Sequence, residues 1–223
     1  TPYAYYSYDL YTHIWETQKQ KAQEQKKSFL DIMHNNYEDY EWREDEGDFM
    51  RSLKLASRSS NLTIISQGED TYSDIMGSMA RFMMESSLPI LAVPTSGLNK
   101  NVGENILIAW DASAEAARAV HDAMPFLLRA KEVTVVSITE GRKHLSPTED
   151  ICTMLKRQGV NALGLDEEEH QDRAAHLLSI AQDKKVNLIV AGAWGHKRLL
   201  EVIFGGVTKS LFTNQEIAVL FSH

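Results

Sequence analysis

Short apolar runs alternate with amphipathic stretches through the second half of the chain. The runs that predict buried strands lie at 105–110, 133–138, 160–165, 187–191 and 217–221. The stretches that predict helices lie at 114–130, 148–157, 172–183 and 205–212. Pro125 should kink or split the first of these helices, because proline has no N–H to donate. Strands that alternate with helices predict an α/β fold with a doubly wound parallel sheet.

The first half of the chain repeats the end of this pattern, at offsets of 126 to 128 positions. The matching segments are 61–65 with 187–191, Gly77–Ser78 with Gly205–Gly206, and 89–93 with 217–221. A repeat of this length indicates a duplicated domain rather than a solenoid. We therefore predict two modules, at 1–96 and 104–223, and the turn-forming residues of 94–103 are typical of a linker between them.

The first module is incomplete and diverged. By the repeat offset, Thr1 corresponds to 127–129 of the second copy, so the counterpart of the 105–110 strand would precede it. A sheet without its central strand exposes apolar edges. We expect a natural N-terminal segment to supply that strand, and a partner that completes the domain is the alternative.

A long polar helix is predicted over 12–36, where Trp15, Ala22 and Phe29 recur every seven residues. This spacing predicts a narrow stripe that packs on the sheet.

Charge and composition narrow the choice of partners. The 223 residues are 43% apolar, and the formal net charge is -8 without a basic cluster, so a nucleic acid is a poor partner. The acidic clusters at 38–48 and 166–169 are interpreted as solvated loops and helix starts. No apolar run is long enough to span a membrane. Cys152 is the single cysteine, which favours a reducing compartment, and we expect a soluble cytoplasmic protein.

Glycines mark the candidate binding site. Gly192 and Gly195 follow a predicted buried strand, and Gly205 opens a predicted helix after nine further residues. Backbone N–H groups can approach an anion closely at glycines, and a helix N-terminus adds positive potential, so the arrangement is typical of a phosphate site. Tight turns without a ligand explain the same glycines equally well.

This Gly-x2-Gly-x9-Gly spacing resembles the signature of the universal stress protein family, as does Asp111-Ala112-Ser113 after the first strand. The resemblance covers 104–223, and residues 41–94 resemble the back half of the same module. The chain is thus similar to a tandem, two-module member of the family, whose Rossmann-like modules have the adenine nucleotide alpha hydrolase-like fold.

The resemblance implies a nucleotide site in the second module. In nucleotide-binding members, the aspartate holds the ribose or adenine, a backbone position at the end of the second strand faces the base, and the glycine loop holds the phosphates. The corresponding positions are Asp111, Val136, Gly192, Gly195 and Gly205. Gly206 stands where Ser or Thr is usual, and Thr208 could partly replace the lost hydroxyl. His196 brings a cationic donor near the site. In the first module, Glu69 and Asp70 would repel phosphates.

The function implied is that of a stress-response regulator that binds ATP or another adenine nucleotide, with Mg²⁺ accompanying it, and without major catalytic turnover. No catalytic residue and no protein-only metal site is expected. Two alternatives remain: a slow ATP hydrolase, and an interaction scaffold. In the scaffold, 89–93 would pair with 217–221 as an intrachain pseudo-dimer, and the chain would also form a homodimer.

Overall fold

The computed structural model describes most of the chain, in several separate stretches. The described residues are 2–67, 82, 85–86, 88–96, 102–139, 148–168, 172–193, 206–214 and 216–223. They belong to two compact units, Thr1–Gly47 and Asp48–His223. This division differs from the boundaries that the repeat predicts, and the assignment of 1–96 and 104–223 to two modules remains a prediction.

The first unit is a long helix with a returning segment. Helix α1 spans Pro2–Asn36, ten residues longer at its start than the sequence predicts. Phe29 contacts the rings of Tyr40 and Trp42, with centroid distances of 5.8 and 5.3 Å. Lys26 forms an ion pair with Glu44 at 3.1 Å. Of the predicted stripe, Phe29 thus packs within this unit, whereas Trp15 is exposed. Packing of the stripe on the sheet remains a prediction.

The second unit is built on one seven-stranded sheet. Its strands are β1 (Thr63–Gln67), β2 (Ile90–Pro94), β3 (Asn105–Ala109), β4 (Glu132–Thr139), β5 (Ala162–Glu168), β6 (Leu188–Gly192) and β7 (Ala218–Ser222). The spatial order is β1-β2-β7-β6-β3-β4-β5. All neighbours run parallel except β2 and β7, which are antiparallel. This confirms the doubly wound sheet that the sequence predicts.

Helices cover both faces of the sheet. They are α2 (Phe49–Ser57), α3 (Ala114–Leu127), α4 (Thr148–Arg157), α5 (Arg173–Asp183) and α6 (Gly206–Thr213). Apolar residues of α5 and α6 join one core layer with Leu107, Ile189 and Val219. Apolar residues of α3 and α4 join the layer on the other face with Ile108, Val190 and Leu220. The strands therefore need apolar side chains on both faces, which explains their nearly continuous apolar sequences.

The pairing expected between the two repeat segments is confirmed. Strand β2 pairs with β7 in the register Ile90 with Phe221 and Ala92 with Val219. Two parallel half-sheets, β1-β2 and β7-β6-β3-β4-β5, thus meet at one antiparallel boundary. The strands of the larger half-sheet all terminate at the same end of the sheet. Strands β1 and β2 run in the opposite direction and terminate at the other end.

Two sequence expectations in this unit differ from the structure. Pro125 does not split its helix, because it lies in the last turn, where α3 ends two residues later at Leu127. Only one helical hydrogen bond is lost there. Residues 166–168 are not a loop but the end of β5, which pairs with β4 as far as Glu168. An edge strand can carry acidic side chains, because they remain in contact with solvent.

Candidate functional site

The sheet reverses its winding direction between β3 and β6. From β3, the chain continues to β4 on one side, whereas β6 pairs with β3 on the other side. Ligands of open α/β sheets bind in the crevice at such a switch point, outside the carboxyl ends of the strands. At this crevice, Trp110 and Asp111 follow the carboxyl end of β3, and Gly192 and Ala193 lie at the carboxyl end of β6.

The turn after β3 presents Asp111. Its Oδ1 accepts a hydrogen bond of 3.0 Å from the Ser113 N–H, and the Ser113 hydroxyl caps α3 by accepting from the Ala116 N–H at 3.1 Å. Ala112 between them has φ +57, a left-handed conformation that is unusual for a residue other than glycine. Asp111 is exposed, and a carboxylate has about four acceptor positions, so it can also accept from ligand hydroxyls.

Gly192 lies against the first turn of α3. A Cβ at this position would lie 2.5 Å from the Ala116 backbone nitrogen and 2.7 Å from the carbonyl carbon of Glu115. The glycine is therefore needed for the close packing of β6 on α3. That packing brings the amino end of α3 to the end of β6, where the candidate phosphate loop begins.

A polar network holds Ala193, the residue that directly follows β6 and precedes the candidate phosphate loop. The Ala193 N–H donates to the carbonyl oxygen of Ser222 at 2.8 Å, and the Ala193 carbonyl lies 3.2 Å from Nδ1 of His223. Two side chains of α3 hold these last residues of the chain. The Ser222 hydroxyl donates to Asp122 at 2.5 Å, and Arg118 donates to the carbonyl of His223 at 2.6 Å.

No pattern in the sequence predicts this network. Arg118 and Asp122 are one helical turn apart, but their partners lie about a hundred residues later in the chain. No local spacing marks such a contact. The one signal was the position of Ser222 and His223 directly after the last predicted strand, 217–221.

Val136 lies inside β4, three residues before its end, rather than at the end of the strand. Its side chain is buried, and its carbonyl accepts a 2.8 Å hydrogen bond from the N–H of Trp110. The contact ties the end of β3 to β4. That carbonyl is thus already engaged in the sheet.

Two of the remaining predicted residues begin α6. Gly206 is exposed, and a Cβ there would meet nothing within 4 Å, whereas Thr208 is buried in the first turn. The predicted residues Gly195, His196 and Gly205 lie outside the described residues, as do Glu69, Asp70 and Gly77–Ser78 of the first repeat. The described part of the site thus consists of Asp111, Gly192, the Ala193 network and the start of α6.

Neither a metal-binding cluster nor a membrane-spanning helix is found in the part of the chain that the structure describes. Its histidines, cysteine and acids do not gather in groups of three with the geometry of a metal site. None of its helices combines the length and apolar character that are needed to cross a bilayer.

Comparisons with known proteins bear on the fold. Neither the protein-family models nor the curated protein sequences include a match to this chain. Among solved structures, a universal stress protein from Archaeoglobus fulgidus DSM 4304 superposes with a TM-score of 0.75 at 15% identity, over 94% of this chain and 78% of that one. A candidate universal stress protein from Pseudomonas aeruginosa UCBPP-PA14 has a TM-score of 0.57 at 15% identity, over 92% and 77%.

A functionally unknown protein from Pseudomonas aeruginosa PAO1 is similar to the same degree, with a TM-score of 0.57 at 14% identity, over 90% and 76%. Identities this low establish the fold and nothing finer. The chain has the α/β fold of universal stress proteins, with a mostly parallel seven-stranded sheet, as the sequence predicts.

Proposed function

We propose that the protein is a universal-stress-type regulator that binds ATP or another adenine nucleotide at the carboxyl ends of β3 and β6. The observation that carries the proposal is the placement of Asp111 and Gly192 on the two sides of the switch point. In this proposal, Asp111 accepts hydrogen bonds from the ribose or adenine. Gly195, Gly205 and Gly206 face the phosphates, with His196 and Thr208 as further donors. Val136 contributes through the sheet, where its carbonyl ties the end of β3 to β4.

Gly192 contributes by packing rather than by contact with the ligand. Because Gly192 has no side chain, the first turn of α3 packs directly on it. The positive end of that helix therefore lies beside the start of the glycine loop. Mg²⁺ would accompany the nucleotide and neutralise part of its phosphate charge. The output of nucleotide binding is a change in partner binding rather than catalytic turnover, since no residue is assigned the role of a general base.

The tandem organisation is part of the same proposal. Strands β1 and β2 are the counterparts of β6 and β7, the last two strands of the second module, and the antiparallel junction of β2 with β7 supports an intrachain pseudo-dimer. The same junction favours the alternative function of a scaffold that acts through paired modules without a nucleotide.

Calorimetric titration with ATP and Mg²⁺ separates these functions. We expect one site per chain, and a loss of at least about tenfold in affinity for Asp111→Ala, equivalent to ~1.4 kcal/mol. Asp183→Ala is the matched control, because Asp183 is the last residue of α5, which ends near the start of β6 and away from the proposed site. Absence of binding at millimolar ATP, in a protein shown to be folded, would leave the scaffold. Magnesium-dependent phosphate release that Asp111→Ala abolishes would favour the hydrolase.

A further inference from the structure

One helix, α3, contacts both sides of the crevice between β3 and β6. On the β3 side, Ser113 caps α3, and the Ser113 N–H donates to Asp111 at 3.0 Å. On the β6 side, the first turn of the same helix packs directly against Gly192. The next residue of the chain, Ala193, is buried and directly precedes the candidate phosphate loop. The orientation of Ala193 therefore sets the direction in which that loop leaves the sheet.

Both backbone polar groups of Ala193 have partners in the last two residues of the sequence. The Ala193 N–H donates to the carbonyl of Ser222 at 2.8 Å, which continues the pairing of β6 with β7. The Ala193 carbonyl lies 3.2 Å from Nδ1 of His223. Because a carbonyl oxygen only accepts hydrogen bonds, Nδ1 must carry the proton in this contact. The ring of His223 is thus the donor to the backbone acceptor that immediately precedes the candidate loop.

The position of His223 is in turn set by α3. Arg118 donates to the carbonyl of His223 at 2.6 Å. One turn later on the same helix, Asp122 accepts a hydrogen bond of 2.5 Å from the hydroxyl of Ser222. Hydrogen bonds of guanidinium and carboxylate groups are charge-assisted and stronger than bonds between neutral groups. The helix that frames the crevice therefore also directs the ring of His223 at Ala193.

We propose that His223 is a positioning residue for the phosphate loop: its Nδ1–H fixes the Ala193 carbonyl, and Arg118 fixes His223. The inference rests on the nucleotide site proposed above, and it assigns to that site a residue that does not touch the ligand. Without the Nδ1 donor, the peptide plane that joins Ala193 to the next residue is free to rotate. Such a rotation displaces the groups that the loop presents to the phosphates, whereas Asp111, on the other side of the crevice, keeps its place.

The test compares ATP with adenosine, which has no phosphates, by calorimetric titration of the full chain in the presence of Mg²⁺. His223→Phe keeps a ring but removes the donor, and it should raise the Kd for ATP about fivefold, as expected for the loss of one hydrogen bond. The Kd for adenosine should not change. His223→Asn should retain the wild-type Kd for ATP, because the side-chain amide of asparagine supplies a donor in place of Nδ1.

Two further variants sharpen this test. Arg118→Met should also raise the Kd for ATP alone, and adding it to His223→Phe should cause no further loss, because Arg118 acts through His223. His121→Phe is the matched control, because His121 is exposed on α3, and it should bind both ligands like the wild type. Unchanged ATP binding in His223→Phe, equal weakening of ATP and adenosine, or an equal loss in His223→Asn would overturn the proposal.

Hydrogen exchange of the Ala193 amide, measured by NMR without ligand, tests the role of His223 separately from nucleotide binding. This amide should exchange faster in His223→Phe than in the wild type and in His223→Asn, because the neighbouring peptide plane is released. If the wild type binds neither ligand, the nucleotide site is wrong, and faster exchange in His223→Phe still supports the positioning role. Equal exchange in all three proteins contradicts that role, whatever the ligands do.

Discussion

Gly192 and Ala116 are so close that a Cβ on Gly192 would lie 2.5 Å from the Ala116 backbone nitrogen. We predict that Gly192→Ala destabilises the protein by about 1–3 kcal/mol, because backbone rather than a flexible side chain must move. At this chain length, the melting temperature should fall by roughly 2–4 °C for each kcal/mol. Thermal unfolding followed by circular dichroism measures the change.

Gly206→Ala is the control for this substitution, because a Cβ at Gly206 meets nothing within 4 Å. Its melting temperature should equal or exceed that of the wild type, since alanine favours a helix over glycine by up to about 1 kcal/mol. A Gly192→Ala variant as stable as Gly206→Ala would show that α3 does not pack on β6 as described.

The hydrogen bond between Ser222 and Asp122 should couple their contributions to stability. Asp122→Ala leaves the buried Ser222 hydroxyl without its acceptor, at a cost of about 1–3 kcal/mol. The double variant with Ser222→Ala should cost less than the sum of the two single variants. Urea unfolding of all four proteins measures the coupling. Additive costs would mean that the two side chains do not interact in solution.

The fold was predictable from sequence because its strands are apolar on both faces. The runs at 105–110 and 187–191 became β3 and β6, with ends displaced by a residue. Errors arose where tertiary pairing overrides local preference. Strand β5 extends through Asp166–Glu168 because β4 supplies a full ladder for it, which no local pattern in an acidic segment reveals.

The candidate site was predictable only in outline. Asp111 was found because Asp111-Ala112-Ser113, after the first predicted strand, resembles the motif of the universal stress protein family, and the structure places it at the switch point between β3 and β6. The packing role of Gly192 depends on Ala116, 76 positions earlier, and Arg118 reaches a carbonyl 105 positions away. Contacts between distant segments follow from topology rather than from spacing, so a single sequence does not show them.

Cys152 makes stability depend on pH in the alkaline range. Burial raises the pKa of its thiol, nearby Lys156 partly offsets this effect, and Asp166 adds to it. The unfolded thiol ionises near its ordinary pKa of 9.0, while the folded thiol keeps its proton. The unfolded state therefore gains stability as the pH rises above about 9.

We predict that the free energy of unfolding falls more steeply between pH 8 and about pH 10 for the wild type than for Cys152→Ala. Urea titrations at both pH values measure the difference. Parallel decreases in the two proteins would mean that the Cys152 thiol ionises at the same pH in both states.

A hydroxyl at position 206 should strengthen nucleotide binding. Gly206 is exposed at the first residue of α6, and there is room for a side chain. Gly206→Ser would add one donor near the proposed phosphates, worth roughly 1 kcal/mol or about a fivefold lower Kd. Gly206→Ala adds the same Cβ without the donor, and it should leave the Kd unchanged. If serine and alanine change the Kd equally, position 206 does not contact the phosphates.

The most direct test of the nucleotide site is photolabelling with an azido-adenine analogue of ATP, with labelled peptides identified by mass spectrometry. The label should appear in peptides that contain the carboxyl ends of β3, β4 or β6, and excess ATP should compete it away. Labelling confined to residues 2–96, or labelling that ATP does not reduce, would contradict the assignment of the site to the switch point between β3 and β6.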